Sequence, residues 1–424
     1  MMKRIAIIGG GVTGVTTAYA LLRRGHEVTL YEQQRYAAMD TSFANGGQLS
    51  ASNAEVWNSW PTLWKGLKWM WHQDAPLLIN PKPSWHKLSW LAEFAMAIGQ
   101  YQRNTVDTVR LAIRARDILW AWAEQESIDF DLTKRGILHI YRTRSEFEQA
   151  ERVSALLAQG GLTRQALTPG DIRVIEPNLK GDFYGGFFTG SDATGDIHKF
   201  TFGLAQAVER LGGHIRYGTR VNHLGADSHR AWVVGETFGA APGHGQRDTF
   251  DRIVICAGVG SRKLAAQLGD RVNIYPVKGY SITVHLDDPD SQAAAPQVSL
   301  LDDATKIVSS RLGNGRLRVA GTAEFNGYNR DIRNNRILPL VKWVEACFPG
   351  VSTRHAEPWA GLRPMMPNMM PKVGPGQQPC VFYNTGHGHL GWTLSAATAE
   401  WVADQIEGRA ISDIEISSQM VRPE

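Results

Sequence analysis

The sequence predicts an α/β fold in which a Rossmann-like nucleotide-binding domain sits beside a second, α+β domain built on an antiparallel sheet. Three observations carry this. Residues 5–32 read as strand, glycine turn, helix and strand; an apolar run at 251–258 ends in small residues; and strand candidates lie at 275–286, 306–312 and 316–322. The last two are joined by Gly313-Asn314-Gly315, a hairpin signal.

The first element is the most constrained. The apolar run 5–8 enters Gly9-Gly10-Gly11-Val12-Thr13-Gly14, a helix-period stretch carries Val15, Ala18, Leu21 and Leu22, and Gly25 leads to a second run at 28–31. Gly9 permits the tight turn, Gly11 lets backbone approach a pyrophosphate at the helix N-terminus, and Gly14 lets helix and strand pack closely. Glu32 stands 18 residues after Gly14, where a carboxylate accepts hydrogen bonds from both ribose hydroxyls of an adenosine and repels a 2′-phosphate.

The same pattern serves NAD and FAD, and the following elements choose between them. An NAD enzyme normally continues with further βα units. Here residues 41–50 form a polar loop containing Ser42, Asn45, Gly46, Gly47 and Gln48, suited to setting backbone N–H groups against a flavin ring. Residues 55–100 then hold seven of the 14 tryptophans (Trp57, Trp60, Trp64, Trp69, Trp71, Trp85 and Trp90), interleaved with Lys65, Lys68, Lys82 and Lys87. This segment reads either as a helical cap packed on the nucleotide domain or as an interfacial segment at a membrane headgroup layer. A long amphipathic helix at 106–126, a strand at 136–141 and a helix at 146–158 follow.

From Asp196 the chain returns to the nucleotide domain, with a helix at 200–211 and a strand at 213–217. Val221 falls at a backbone edge beside the adenine, and Ala257 and Gly258 end the 251–258 strand where nucleotide comes close. After the antiparallel strands, a turn containing His387, Gly388, Leu390, Gly391, Trp392 and Thr393 feeds a helical pattern of Leu394, Ala397, Trp401, Ala403 and Ile406. Such a turn offers free N–H donors and a partial positive charge to the flavin edge that becomes anionic on reduction. The expected division is discontinuous: 1–54, 190–273 and 355–424 in the FAD-binding domain, 55–189 and 274–354 in the substrate or cap domain.

Composition is that of a large globular enzyme. At 424 residues the chain exceeds the usual single core, and 43% hydrophobic with 20% charged residues excludes disorder. A net charge of +4 without basic blocks argues against a nucleic-acid partner. Cys256, Cys347 and Cys380 are scattered, which suits free thiols in a reducing, cytoplasmic setting. Residues 1–4 pass straight into the first strand, and no apolar run is long enough for a membrane span. An interfacial Trp-rich segment would add peripheral contact at the inner face of the cell membrane.

Five motifs in order, GGGVTG with Glu32, TSFANGGQLS, PVKGYSIT at 276–283, GLRPMMPNMMPKVG at 361–374 and NTGHGHLGWT at 384–393, resemble the small-subunit-type D-amino-acid dehydrogenase family. That family lies within the D-amino-acid oxidase and glycine oxidase superfamily, and the likeness spans essentially the whole chain. It implies noncovalent FAD and oxidative deamination of D-amino acids. The matching arginine of the superfamily grips the substrate carboxylate; here that is Arg363, whose guanidinium can do so bidentately and aim the Cα–H at flavin N5. Tyr280 is expected to add a hydroxyl to that carboxylate, to close the pocket or to pack within its strand, and Lys278 either to approach the flavin edge or to be solvated. His387 matches the family's turn and is expected to orient it. His389 replaces a smaller polar residue, and two alternating histidines without a third ligand make no metal site.

The expected chemistry is hydride transfer from Cα to flavin N5, hydrolysis of the iminium to a 2-oxo acid and ammonia, and passage of electrons to a quinone or another acceptor. Two other readings stay open at this point. One is oxygen-dependent oxidation of glycine, sarcosine or a proline analogue, and the other an FAD-containing, non-catalytic subunit of a larger assembly.

Overall fold

The computed structural model describes residues 1–60, 62, 77–238 and 246–409. A six-stranded sheet runs in the order Lys372–Pro375, Val381–Thr385, Arg252–Ile255, Arg4–Ile8, Glu27–Tyr31 and His214–Arg216. All neighbours are parallel except the Lys372–Pro375 edge. After the exposed Arg4, the central strand is apolar from Ile5 to Ile8 because both of its faces are covered. Ile5 and Ile7 enter a core with the helices Val12–Leu22, Ile197–Arg210 and Gly391–Glu407, whereas Ala6 and Ile8 enter one with the helix Ser261–Gln267 and a three-stranded antiparallel sheet.

The second domain rests on a nine-stranded sheet. Its path is Glu357–Met365, Tyr275–His285, Arg316–Phe325, Ile307–Leu312, Ser299–Asp302, Ile137–Tyr141, Gly185–Thr189 and Gln165–Leu167, with Leu77–Ile79 pairing aside onto Arg316–Phe325. The 313–315 hairpin joins two paired strands, Ile307–Leu312 and Arg316–Phe325. One face of the sheet buries Tyr280, Ile282 and Val284 with Leu340, Trp343 and Val344 of the helix Asn334–Cys347.

Two features depart from the expected division. The strand Glu357–Met365 pairs along its length with Tyr275–His285, so the substrate-side sheet extends to 365 rather than giving way to the FAD domain at 355. The helix Tyr101–Gln125, expected in the cap, sends Leu119, Trp122 and Ala123 into the nucleotide-domain core. Both follow from pairing partners distant in sequence.

The Trp-rich segment is mixed. Trp64, Trp69, Trp71, Lys65 and Lys68 lie outside the described residues. Trp90 is buried and donates its indole N–H to the Met365 carbonyl at 2.8 Å, while Trp60 and Trp85 are 62% and 83% exposed. Lys87 is buried, its ammonium donating to the carbonyls of Asn80 and Lys82. The three cysteines are buried free thiols.

Candidate cofactor and substrate site

One cavity of about 1270 Å³ runs from the first glycine turn to Arg363 at the interface of the two sheets. At the turn, Gly9 adopts φ +110°, and a Cβ there would lie 2.7 Å from the Cys256 carbonyl oxygen; a Cβ on Gly14 would lie 1.8 Å from the Gly9 oxygen. These two glycines are required by packing. Gly11 is different: a Cβ there meets only Ser42 Oγ, at 3.5 Å, so the space above it belongs to the cavity. Gly11 caps the helix Val12–Leu22 without a side-chain hydrogen bond, and Ser42 Oγ accepts from the Val12 N–H at 3.0 Å.

Glu32 is fastened beside the turn. Its Oε2 accepts from the Gly10 N–H at 2.6 Å and its Oε1 from the Gln34 N–H at 2.7 Å. Burial pushes this carboxyl upward, while the two N–H groups hold it down. Carboxylate oxygens retain further lone pairs for ribose hydroxyls. Val221, at a register shift of its strand, lines the cavity with Ala257 and Gly258.

The 41–50 loop lines the middle of the cavity, but its side chains serve the loop itself. Asn45 Oδ1 accepts from the Gly47 N–H at 2.9 Å, and Gln48 Nε2 donates to Ser299 Oγ and to the Leu300 carbonyl. Asn45 Oδ1 thus braces the loop itself and Gln48 Nε2 ties it to the second domain, while Gln48 Oε1 stays buried without a partner. A Cβ on Gly46 would lie 2.6 Å from Val308 Cγ2, which is why that position is glycine.

Across the cavity stands the 384–393 turn. The Gly388 N–H donates to the Pro364 carbonyl and the Leu390 N–H to the His387 carbonyl, each at 3.0 Å. Gly388 and Leu390 are thus corrected as donors to a flavin: their N–H groups are used in closing the turn. The free donors are the first-turn N–H groups of Gly391, Trp392 and Thr393, since Leu390 caps the helix Gly391–Glu407 without a side-chain hydrogen bond. The Trp392 ring itself packs in the core against Phe130 and Phe200. His387 is fully enclosed, its Nε2 lies 2.9 Å from Thr398 Oγ1, and burial lowers its pKa to about 3. It is a neutral strut between turn and helix rather than an acid or base.

Arg363 reaches the cavity from the strand Glu357–Met365. Its Nη1 donates to the Thr322 carbonyl at 3.0 Å, and its guanidinium covers Gly279, where a Cβ would stand 2.5 Å from Cζ. Among the described residues it has no carboxylate partner, and burial alone lowers its pKa to about 10. A desolvated cation without a counter-ion is a binding site for an anion. Thr322 adopts φ +62° and leaves a buried hydroxyl without a partner, so local backbone strain accompanies this grip.

Tyr280 does not join Arg363, and the expectation that its hydroxyl meets the substrate carboxylate is corrected. Arg363 pairs with Val277, so side chains of 277 and 279 share its face while those of Lys278 and Tyr280 point to the other. The Tyr280 hydroxyl donates to Glu324 Oε2 at 2.8 Å, and Lys278 Nζ donates to Asn329 Oδ1 at 2.7 Å. Lys278 is fully buried there, neither solvated nor at the cavity. Asn53 and Glu55, which follow the 41–50 loop, line the cavity, and Trp57, Tyr101 and Thr322 do so without having been expected there. They come from separate segments and carry no motif.

A family model described as FAD dependent oxidoreductase matches residues 4–405. The chain is 58% identical over 402 residues to D-amino acid dehydrogenase 3 of Mesorhizobium japonicum, covering 95% of this chain and 96% of the relative. It is 39% identical to a D-amino acid dehydrogenase of Dechloromonas aromatica, covering 96% and 97%. The solved glycine oxidase of Geobacillus kaustophilus shares the fold, with a TM-score of 0.76 at 22% identity over 97% of this chain and 96% of that one. An FAD-bound L-alpha-glycerophosphate oxidase of Mycoplasma pneumoniae superposes with a TM-score of 0.72 at 18% identity, covering 100% of both chains.

Proposed function

Since the chain belongs to the FAD-dependent oxidoreductase family, we propose that it oxidises D-amino acids, with water, to 2-oxo acids and ammonia. The observation that carries this reading is Arg363, a buried guanidinium without a counter-ion that faces the same cavity as the nucleotide turn. FAD would be held noncovalently, with Glu32 and Gly11 serving its adenosine and pyrophosphate end and the Gly391–Thr393 N–H groups its flavin end, and when bound it would supply the acceptor for the Cα hydride.

Arg363 binds the substrate carboxylate and fixes Cα in one place, so its work is positioning. Burial keeps its charge unscreened, and a pKa of about 10 leaves it protonated throughout the neutral range. His387 and His389, held neutral at pKa values of about 3 and 4, place no competing cation beside an incoming ammonium. The ammonium loses its proton to solvent on binding, and the lone pair so freed would assist departure of the Cα hydride, so no strong protein base is needed.

Electrons pass onward to a quinone or another acceptor. Trp60, Trp85, Leu88 and Met96 are exposed together with Lys82, a composition that favours an acceptor at a membrane surface. Among the described residues no helix is long and apolar enough to cross a membrane, so that contact is peripheral. The test is anaerobic bleaching of the protein-bound flavin by a panel of D- and L-amino acids, glycine and sarcosine. Bleaching by D-amino acids is expected; bleaching confined to glycine and sarcosine, or to L-enantiomers, overturns the reading.

A further inference from the structure

Beyond Arg363 the cavity reaches a polar cluster that the proposed reaction leaves unused. Trp57 stacks on His389, ring centroids 4.8 Å apart and planes at 22°. His389 is half-buried with both ring nitrogens shielded, burial and then the neighbouring Arg363 charge depress its pKa against the opposing Asn53 backbone, and neither nitrogen makes a hydrogen bond of good geometry. Glu55 lines the same cavity two residues before Trp57, and Tyr101 Oη donates to its Oε1 at 2.6 Å. No described residue donates to the other oxygen. Burial pushes the Glu55 carboxyl up, opposed by the Tyr101 hydrogen bond and the charges of Lys306 and Arg164.

Enclosed polar atoms without partners are costly unless something satisfies them. A cationic side chain is a weaker match, because Lys306 and Arg164 already place positive charge beside Glu55, with Asp303 paired to Lys306, and Arg363 places another beside His389. An anionic side chain meets Glu55, and an apolar one leaves the acceptors dry. A neutral hydrogen-bond donor fits all of these groups.

We propose that Glu55, Tyr101, Trp57 and His389 form a side-chain subsite selecting D-amino acids that carry a neutral hydrogen-bond donor, a hydroxyl or carboxamide, with Glu55 as the selecting residue. This rests on the D-amino-acid reading above. The stacked rings of Trp57 and His389 form the wall of the subsite, and the tyrosine holds the carboxylate in register.

The experiment compares anaerobic flavin reduction by D-threonine and by its isostere D-valine, with D-asparagine against D-leucine and D-lysine as further arms. The holoenzyme is expected to favour each donor-bearing partner by roughly tenfold or more in kcat/KM, mostly through KM, and to rank D-lysine below D-asparagine. Glu55→Leu brings the D-threonine to D-valine ratio close to one, and Tyr101→Phe, which removes only the support of the carboxylate, lowers it in part. Flavin absorbance and Tm check that each variant is loaded and folded; if Glu55→Leu fails either check, Tyr101→Phe and His389→Phe decide. D-valine bleaching without any D-threonine preference, or a ratio unmoved in the folded variants, overturns this inference alone. Failure of every D-amino acid to bleach the flavin overturns the underlying reading, and this one with it.

Discussion

Replacing Arg363 by alanine removes the buried cation on which substrate binding rests. Its guanidinium is half-buried on the cavity wall, and burial lowers its pKa to about 10, the sign of a desolvation cost. A substrate carboxylate in bidentate contact offsets that cost and recovers the ion pair. Loss of a charge pair of this kind costs roughly 2–5 kcal/mol, a decrease of about thirtyfold or more in kcat/KM. Arg363→Lys recovers part, since an ammonium supplies charge without the planar fork and leaves the Thr322 carbonyl contact to be remade. Anaerobic stopped-flow reduction separates the effects: the apparent substrate Kd rises while the flavin spectrum and FAD content stay at wild-type values. An alanine variant within threefold of wild type in kcat/KM would show that the carboxylate is held elsewhere.

Gly11→Val points its side chain into open cavity, so the variant is expected to fold with a near-normal apo Tm yet lose FAD, visible as a colourless protein; retention of FAD would mean the pyrophosphate lies elsewhere. Acid should destabilise the fold in a defined window. His387 and His389 stay neutral in the native state to about pH 3 and 4, but the unfolded chain protonates them near pH 6.5, so it binds more protons and stability falls as pH drops below 6.5. Each contributes up to about 1.4 kcal/mol per pH unit, and a Tm that holds from pH 7 to 5 would refute the assignment. Trp85→Ser with Leu88→Ser should weaken binding to anionic liposomes at low salt without changing anaerobic flavin reduction; unchanged binding, or none in wild type, would remove the membrane role of this face.

The nucleotide turn was legible because its signal is local: three glycines at fixed spacing between two apolar runs. The long 275–286 strand and the hairpin that follows it in the sheet were legible for the same reason. The strand Glu357–Met365 was not, because EPWAGLRPM holds two prolines and a glycine without alternation, and only its edge position beside Tyr275–His285 makes it a strand. Strand register decided the fate of Tyr280: its parity relative to Arg363 depends on the pairing of Val277, which no linear pattern states. The turn at 384–393 was readable as a source of N–H donors, but not which of them it spends on Pro364 and His387. The stack of Trp57 on His389 joins residues more than three hundred positions apart and had no signature at all.

The strand order of the parallel sheet also sets a timetable for biosynthesis. Arg4–Ile8 leaves the ribosome first, yet its neighbour Arg252–Ile255 and the next strand, Val381–Thr385, come after most of the chain has been made. The donors of Gly391, Trp392 and Thr393 arrive later still. A nascent chain can therefore pair Arg4–Ile8 with Glu27–Tyr31 at once but leaves its other edge open until Arg252–Ile255 is made, and the full set of cofactor donors exists only after residues 391–393.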